Sequence, residues 1–166
     1  MLQGPTKARM LICYYSRTGH TQHMAEAIGE AAEEVAGLSV EVKPLSEVDA
    51  GDFLSFDAVV LGSPTYYGSM AGEVKHIIDE SVAFHGGLSG KVGGAFASSA
   101  NIGGGNETTI MDILKAMLIH GMIIQGASAG DHYGPVAVGA VDHRSQTQCA
   151  NYGRLLGELT VRLHGK

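Results

Sequence analysis

Hydroxyl side chains and a glycine follow the first apolar run of the chain. Residues 10–15 read as a buried strand, and the next six residues are Ser16-Arg17-Thr18-Gly19-His20-Thr21. A helical pattern of apolar residues begins directly afterwards, so this segment connects a strand to a helix. The first amides of a helix have no intrahelical partner and lie at the positive end of its dipole. The segment is therefore suited to bind a phosphate group.

Two other interpretations of this segment remain open. Serine and threonine also cap helices, and a cap requires no ligand. His20 and His23 have a spacing that could place both on one metal ion, but no third ligand is near them in the sequence. The segment matches neither the P-loop nor the dinucleotide-binding glycine pattern. Because it is short, a terminal phosphate fits it better than a pyrophosphate.

Two further segments with chemical potential follow later apolar runs. After residues 58–62 the chain reads Ser63-Pro64-Thr65-Tyr66-Tyr67-Gly68. Two aromatic side chains in a loop suit a planar ligand ring, although they could also be surface or core residues. After residues 92–98 it reads Ser99-Ala100-Asn101-Ile102-Gly103-Gly104-Gly105. Three consecutive glycines are costly in entropy, which indicates a close approach by another part of the backbone.

Alternating strand and helix patterns indicate how these segments are positioned. We expect strands at residues 10–15, 38–42, 58–62, 92–98 and 122–124, and helices at 21–36, 71–84, 107–120 and 144–163. Apolar strands joined by helices predict an α/β three-layer sandwich, with helices on both faces of a five-stranded parallel sheet. In the strand order 2-1-3-4-5, the three segments converge at one crevice beside the carboxyl ends of the strands.

Length and composition narrow the class of protein. The 166 residues suit a single domain, in which residues 1–8 would be a short extension before the first strand. A net charge of −6 without a cluster of lysine or arginine argues against nucleic-acid binding. The two cysteines lie far apart, and the longest apolar runs are too short for a signal segment or a membrane span. We therefore expect a cytoplasmic protein.

A pattern near residue 128 raises the alternative of a hydrolase. Gly126-Ala127-Ser128-Ala129-Gly130 matches the nucleophile elbow and follows an expected strand, with aspartates and histidines downstream. The elbow must lead directly into a helix, whereas here a polar segment containing glycine and proline follows. Small residues produce this pattern by chance in a chain with 24 glycines, so a hydrolase is not favoured.

Four motifs together resemble those of a known family. The chain resembles flavodoxin-like FMN proteins and is most similar to the WrbA-type NAD(P)H:quinone oxidoreductases. The resemblance covers nearly the whole chain. It is carried by residues 16–21, by residues 62–72, by Gly103-Gly104-Gly105-Asn106-Glu107-Thr108-Thr109 and by His120-Gly121-Met122.

The resemblance implies specific roles for these residues. Residues 16–21 would hold the FMN phosphate, residues 64–68 would line the ribityl chain and the isoalloxazine edge, and residues 99–105 would follow the pyrimidine side. His120 would be the catalytic residue beside the flavin, although a helix C-terminus favours histidine by its dipole alone. NAD(P)H would reduce the flavin, which would then reduce a quinone by two electrons. The family resemblance also implies a homo-oligomer, either a dimer or a tetramer.

The chain departs from the family pattern at several positions. It is shorter than usual members, with segments missing after the second strand and between residues 124 and 133. Thr18 stands where an aromatic residue is common, and Tyr66 stands where an arginine is common. These departures concern quinone reduction and assembly more than FMN binding. A flavodoxin-type electron carrier and a non-enzymatic FMN-binding module therefore remain alternatives.

Overall fold

The computed structural model describes residues 6–166, in which strands and helices alternate as expected. The strands are β1 (Ala8–Tyr14), β2 (Leu38–Pro44), β3 (Ala58–Tyr66), β4 (Ser69–Met70), β5 (Val92–Ser99), β6 (Ile123–Ile124) and β7 (Val136–Val138). The α-helices are α1 (His20–Glu33), α2 (Gly72–Glu80), α3 (Asn106–Ile119) and α4 (His143–His164). Of the expected extension at residues 1–8, residues 1–5 lie outside the described part, and Ala8 already belongs to β1.

The main strands form a parallel sheet, but their number and order differ from the expectation. Within residues 6–166 the sheet has seven strands in the order β2-β1-β3-β5-β6, with β4 paired to β3 and β7 paired to β5. The expectation of five strands in the order 2-1-3-4-5 is therefore wrong. One reason is that the chain reverses direction at Tyr67 and Gly68, which have positive φ angles, and forms the short antiparallel strand β4.

The second reason lies at the last position of the sheet. There, β6 pairs with Val92 and Gly93 at the start of β5, whereas β7 pairs with residues 97–99 at its end. The segment between them leaves the sheet and returns, so two short strands occupy one edge. We expected no strand or helix between residues 124 and 144, so β7 was missed, because a three-residue strand is too short to show an alternating pattern.

Helices cover both faces of the sheet, which explains why the central strands are apolar along their whole length. Helices α1 and α4 pack on one face, through side chains that include Met24, Ile28 and Leu156. The other face is covered by α2 and α3, through side chains such as Val74 and Ile113. Every residue of β5 is buried. Among residues 6–166, no helix combines the length and apolar character that a membrane crossing requires.

The sheet brings the ends of three neighbouring strands together. Strands β1, β3 and β5 are adjacent and parallel, with Tyr14 opposite Gly62 and Pro64 opposite Ser98. The segments that follow these strands therefore emerge at one edge, where ligands bind in open α/β sheets.

Candidate functional site

A crevice of about 470 Å³ lies at the carboxyl ends of β1, β3 and β5. This volume is within the range of small-molecule binding sites. The crevice is lined by residues from all three expected segments, by Ser98 at the end of β5 and by one glycine after β7. The lining residues are Arg17, Thr18, His20, Thr21, Pro64, Thr65, Tyr66, Ser98, Ser99, Ala100 and Gly139. The fold thus brings together the segments that the sequence places far apart.

The N-terminus of α1 opens at this crevice without a side-chain cap. Gly19 occupies the cap position with φ 94°, and the first helical turn contains no acidic residue. His23 donates its amide to the carbonyl of Gly19 at 3.0 Å, so the amides before it have no intrahelical acceptor. The hydroxyl of Ser16 accepts from the amide of Gly19, which closes the turn without capping the helix. An anion fits this end of the helix.

The segment after β3 is a tight hairpin that α3 holds in place. Tyr67 is fully exposed at its tip and has φ 51°, a conformation that is uncommon for a residue with a bulky side chain. Thr108 donates a hydrogen bond to the carbonyl of Gly68, and the hydroxyls of Thr109 and Thr65 are hydrogen-bonded to each other at 3.1 Å. Tyr66 lines the crevice, whereas Tyr67 and Gly68 form the tip beside it.

The glycine segment after β5 packs directly against this hairpin. A Cβ at Gly105 would lie 2.6 Å from the Cα of Gly68, so a larger residue would clash with the backbone. Gly105 also has φ 99°, which other residues rarely adopt. The close backbone approach that the sequence suggested is therefore confirmed at Gly105.

The glycine segment also separates the crevice from a second opening. Only Ser99 and Ala100 of the expected residues 99–105 line the crevice itself. Ile102, Gly103 and Gly105 line an adjoining groove of about 590 Å³ instead. Asn101 and Gly104 form the turn between the two openings, where the amide of Gly104 donates to the carbonyl of Asn101 at 3.1 Å.

Sequence reasoning missed two residues that line the crevice. Ser98 belongs to the end of β5, where we assigned it to the strand and not to a ligand site. Gly139 follows β7 and donates its amide to the carbonyl of Ser99 at 2.8 Å. Two consecutive serines at a strand end were a usable signal for Ser98, but Gly139 had none because β7 itself was not expected.

Within one chain, His120 lies near the amino ends of the strands, at the opposite end of the sheet from the crevice. Helix α3 begins at Asn106, which lines the adjoining groove, and its 14 residues end at Ile119 with His120 as the C-cap, so His120 lies about 20 Å from the start of the helix. Its Nε2 is 2.7 Å from the hydroxyl of Ser81, and its ring stacks on Phe84. Burial lowers the pKa of His120, and nearby His85 lowers it further.

The hydrogen-bond partners of Ser81 define the state of the His120 ring. The hydroxyl of Ser81 donates to the carbonyl of Ile78 at 2.6 Å, so it can only accept from His120. Nε2 therefore carries the hydrogen, and Nδ1 is an acceptor. Among the described residues, Nδ1 is buried without a donor, and the small cavity that His120 lines has a volume of about 20 Å³, which is room for one water molecule.

The hydrolase pattern around Ser128 lacks the required geometry. After β6, residues 125–135 contain no helix or strand, with bends and turns over residues 128–134, and the next regular element is β7. A nucleophile elbow needs a helix directly after the serine. Ser128 therefore has no elbow, which agrees with the sequence-based interpretation.

Comparisons with known proteins identify the family. Residues 11–100 match the model of a flavodoxin domain. The chain is 31% identical to an NAD(P)H dehydrogenase (quinone) of Rhodopseudomonas palustris over 199 aligned residues, which cover 95% of this chain and all of the relative. The protein of that name from Caulobacter vibrioides is 32% identical, with the same coverage.

Solved structures share the fold. A WrbA-like flavodoxin from Agrobacterium tumefaciens superimposes with a TM-score of 0.78 at 23% identity and covers 95% of this chain and 99% of its own. A flavodoxin from the domain Archaea gives 0.77 at 25% identity and covers 92% of this chain and 98% of its own. The flavodoxin-like fold is thus confirmed, and the chain belongs to the flavodoxin family, together with the relatives named NAD(P)H dehydrogenase (quinone).

Proposed function

We propose that this chain binds FMN and uses NAD(P)H to reduce a quinone. The observation that carries the proposal is the uncapped N-terminus of α1, which opens into a crevice of ligand size. The names of the relatives support the nicotinamide and the quinone as substrates. The free amides at the start of α1, with no acidic side chain in the first turn, suit a phosphate, and the crevice beside them extends to Tyr66, which suits a flavin ring. Together these features fit a flavin mononucleotide.

The chain's residues would bind and orient the cofactor, since FMN itself supplies hydride acceptance and electron transfer when bound. Residues 16–21 would hold the phosphate mainly through free amides and hydroxyls. Arg17 is the one side chain in this segment with a permanent positive charge, so charged side chains alone would not hold the phosphate. Residues 64–68 would line the ribityl chain and the ring edge. Residues 99–105 would border the ring on the pyrimidine side and exclude water from it.

We propose that His120 acts on the crevice of a second copy of the chain. Within one chain His120 lies at the far edge of the sheet, so a role beside the flavin requires a partner copy. The surface around it supports such an assembly, because Val82, Leu118 and Ile119 are apolar side chains with exposures of 73%, 58% and 74%. A dimer or a tetramer would satisfy this requirement.

A single domain located in the cytoplasm is part of the same proposal. One sheet with a core on each face supports a single domain. Both cysteines are buried and free, which suits a reducing compartment.

The proposed function is tested by the absorption spectrum of the purified protein. We expect flavin bands, which NADH or NADPH bleaches in the absence of oxygen and which an added quinone restores. FMN that stays oxidised with both nicotinamides, at any reasonable concentration, would contradict the oxidoreductase. The control is free FMN at the same concentration, which shows how much bleaching occurs without the protein.

A flavodoxin-type electron carrier is the second candidate function, because the chain is short. The alignment with the quinone dehydrogenase extends over 199 positions, more than the 166 residues of this chain, so that relative contains segments that this chain lacks. The alignment with the archaeal flavodoxin covers 92% of this chain and 98% of the flavodoxin. A carrier is expected to take up electrons in two separate one-electron steps in a potentiometric titration, and the enzyme in one two-electron step. Bound FMN without turnover on any quinone would instead indicate a non-enzymatic module.

A further inference from the structure

Two buried hydroxyl groups meet at the inner wall of the crevice. The Oγ1 of Thr21 in α1 lies 2.9 Å from the Oγ of Ser98 in β5. Both residues line the crevice, and they are only 1% and 5% exposed. The pair thus links the first turn of α1, which follows β1, to the end of β5, which is separated from β1 by β3.

The hydrogen-bond inventory of this pair is incomplete. Each hydroxyl has one hydrogen to donate, so the pair has two hydrogens. One of them is used in the contact between the two oxygens. Within residues 6–166, neither hydroxyl makes another hydrogen bond. One buried donor is therefore left over, and leaving such a donor without an acceptor is unfavourable.

The position of Thr21 indicates which acceptor completes the inventory. Thr21 is the second residue of α1, beside the free amides of the first turn. A phosphate bound to these amides places negatively charged oxygen atoms near its hydroxyl. If Ser98 donates to Thr21 and Thr21 donates to the phosphate, both hydrogens have an acceptor. The reverse order would leave the hydroxyl nearest the phosphate without a hydrogen for it.

We infer that Ser98 is a positioning residue that acts through Thr21 and directs the Thr21 hydroxyl to donate to the phosphate of FMN. This inference rests on the proposed function, since it requires FMN as the ligand. It assigns Ser98 a role that depends on a contact between α1 and β5, and not on the phosphate-binding turn alone. A hydrogen bond to a charged phosphate is stronger than one between neutral groups. Loss of the Thr21 hydroxyl should therefore weaken binding of a flavin that carries the phosphate and not of one that lacks it.

The test compares FMN with riboflavin, which lacks the phosphate, by fluorescence titration of the flavin-free protein. For Thr21→Val, which keeps the shape of the side chain, we expect the Kd for FMN to rise about tenfold, with the Kd for riboflavin unchanged. Thr21→Ser retains the hydroxyl and should restore binding of FMN. Thr160→Val is the matched control, because Thr160 is a buried threonine of α4 that bonds to the carbonyl of Leu156; its Kd values should not change.

The role of Ser98 is separated from that of Thr21 by a double-mutant cycle. Ser98→Ala alone should weaken binding of FMN, but it should have no further effect once Thr21 is valine. An equal effect of Ser98→Ala in both backgrounds would overturn the relay, as would equal losses for FMN and riboflavin in Thr21→Val. Wild-type protein that binds FMN but resists NAD(P)H would contradict the proposed function alone, and protein that binds no FMN would contradict both.

Discussion

At the scale of single residues, Gly19 controls the proposed phosphate site. It has φ 94°, and a Cβ built on it would meet no atom within 4 Å, so the space beside it is open. Gly19→Leu would strain the backbone by roughly 1–2 kcal/mol and would place a bulky side chain at the helix end that we propose for the phosphate. We expect this variant to fold but to retain no FMN, as measured by the flavin content of the purified protein.

Gly86 offers a matched control for this substitution. It has φ 89°, and a Cβ there would also meet no atom within 4 Å, but it lies in the connection between α2 and β5, away from the crevice. Gly86→Leu should lower the melting temperature about as much as Gly19→Leu and keep its FMN. A fully loaded Gly19→Leu protein would contradict the assignment of the turn.

At the scale of secondary-structure elements, α3 fixes the hairpin that carries Tyr66. The carboxylate of Asp112 accepts from the hydroxyl of Ser69 at 2.6 Å and pairs with Lys115. These contacts, with Lys115 first, lower the pKa of Asp112 from its ordinary value of 3.8. The stabilisation is therefore present above that pH and is lost as the pH falls below it. Asp112→Ala should cost about 1–2 kcal/mol and accelerate amide exchange across residues 65–70.

Asp79 is the control for the hairpin contact. It also pairs with a lysine, Lys75, at 2.6 Å, but both side chains are more than half exposed on α2. Asp79→Ala should therefore change the free energy of unfolding by less than about 0.5 kcal/mol and leave exchange at the hairpin unaltered. Identical exchange in the two variants would show that Asp112 does not hold the hairpin.

At the scale of the whole molecule, the separation of His120 from the crevice determines how an active assembly would form. His120→Ala and Gly19→Leu chains should each be inactive alone, the first for lack of the histidine and the second for lack of FMN. When the two are refolded together, mixed oligomers contain crevices of the first variant next to His120 of the second. We expect quinone reductase activity to reappear in the mixture.

The control mixes each variant with a chain that carries both substitutions, which supplies neither a crevice nor a histidine. Activity should stay absent in these mixtures. If mixed variants that co-purify as oligomers also stay inactive, a second copy does not supply His120. Full activity of His120→Ala alone would show that His120 has only a structural role, through its contacts with Ser81 and Phe84.

The amino-acid sequence by itself determined the elements and the chemistry of the first turn. Apolar strands and amphipathic helices depend on local periodicity, so all four α-helices start within one residue of their expected positions. The turn after β1 was recognisable because hydroxyls and a glycine between a strand and a helix have a local physical meaning. The short strands β4 and β7 were missed because strands of two or three residues have no periodicity to detect.

Only the tertiary structure decided which side chains meet. Ser98 and Thr21 are 77 residues apart in the chain, and their contact exists because β5 lies beside β3 and α1 packs over that end of the sheet. The position of His120 could not be predicted from its motif, because α3 spans the sheet from the carboxyl ends to the amino ends of the strands and His120 follows its last residue. Contacts between distant segments follow from the order of the strands, which no local pattern encodes.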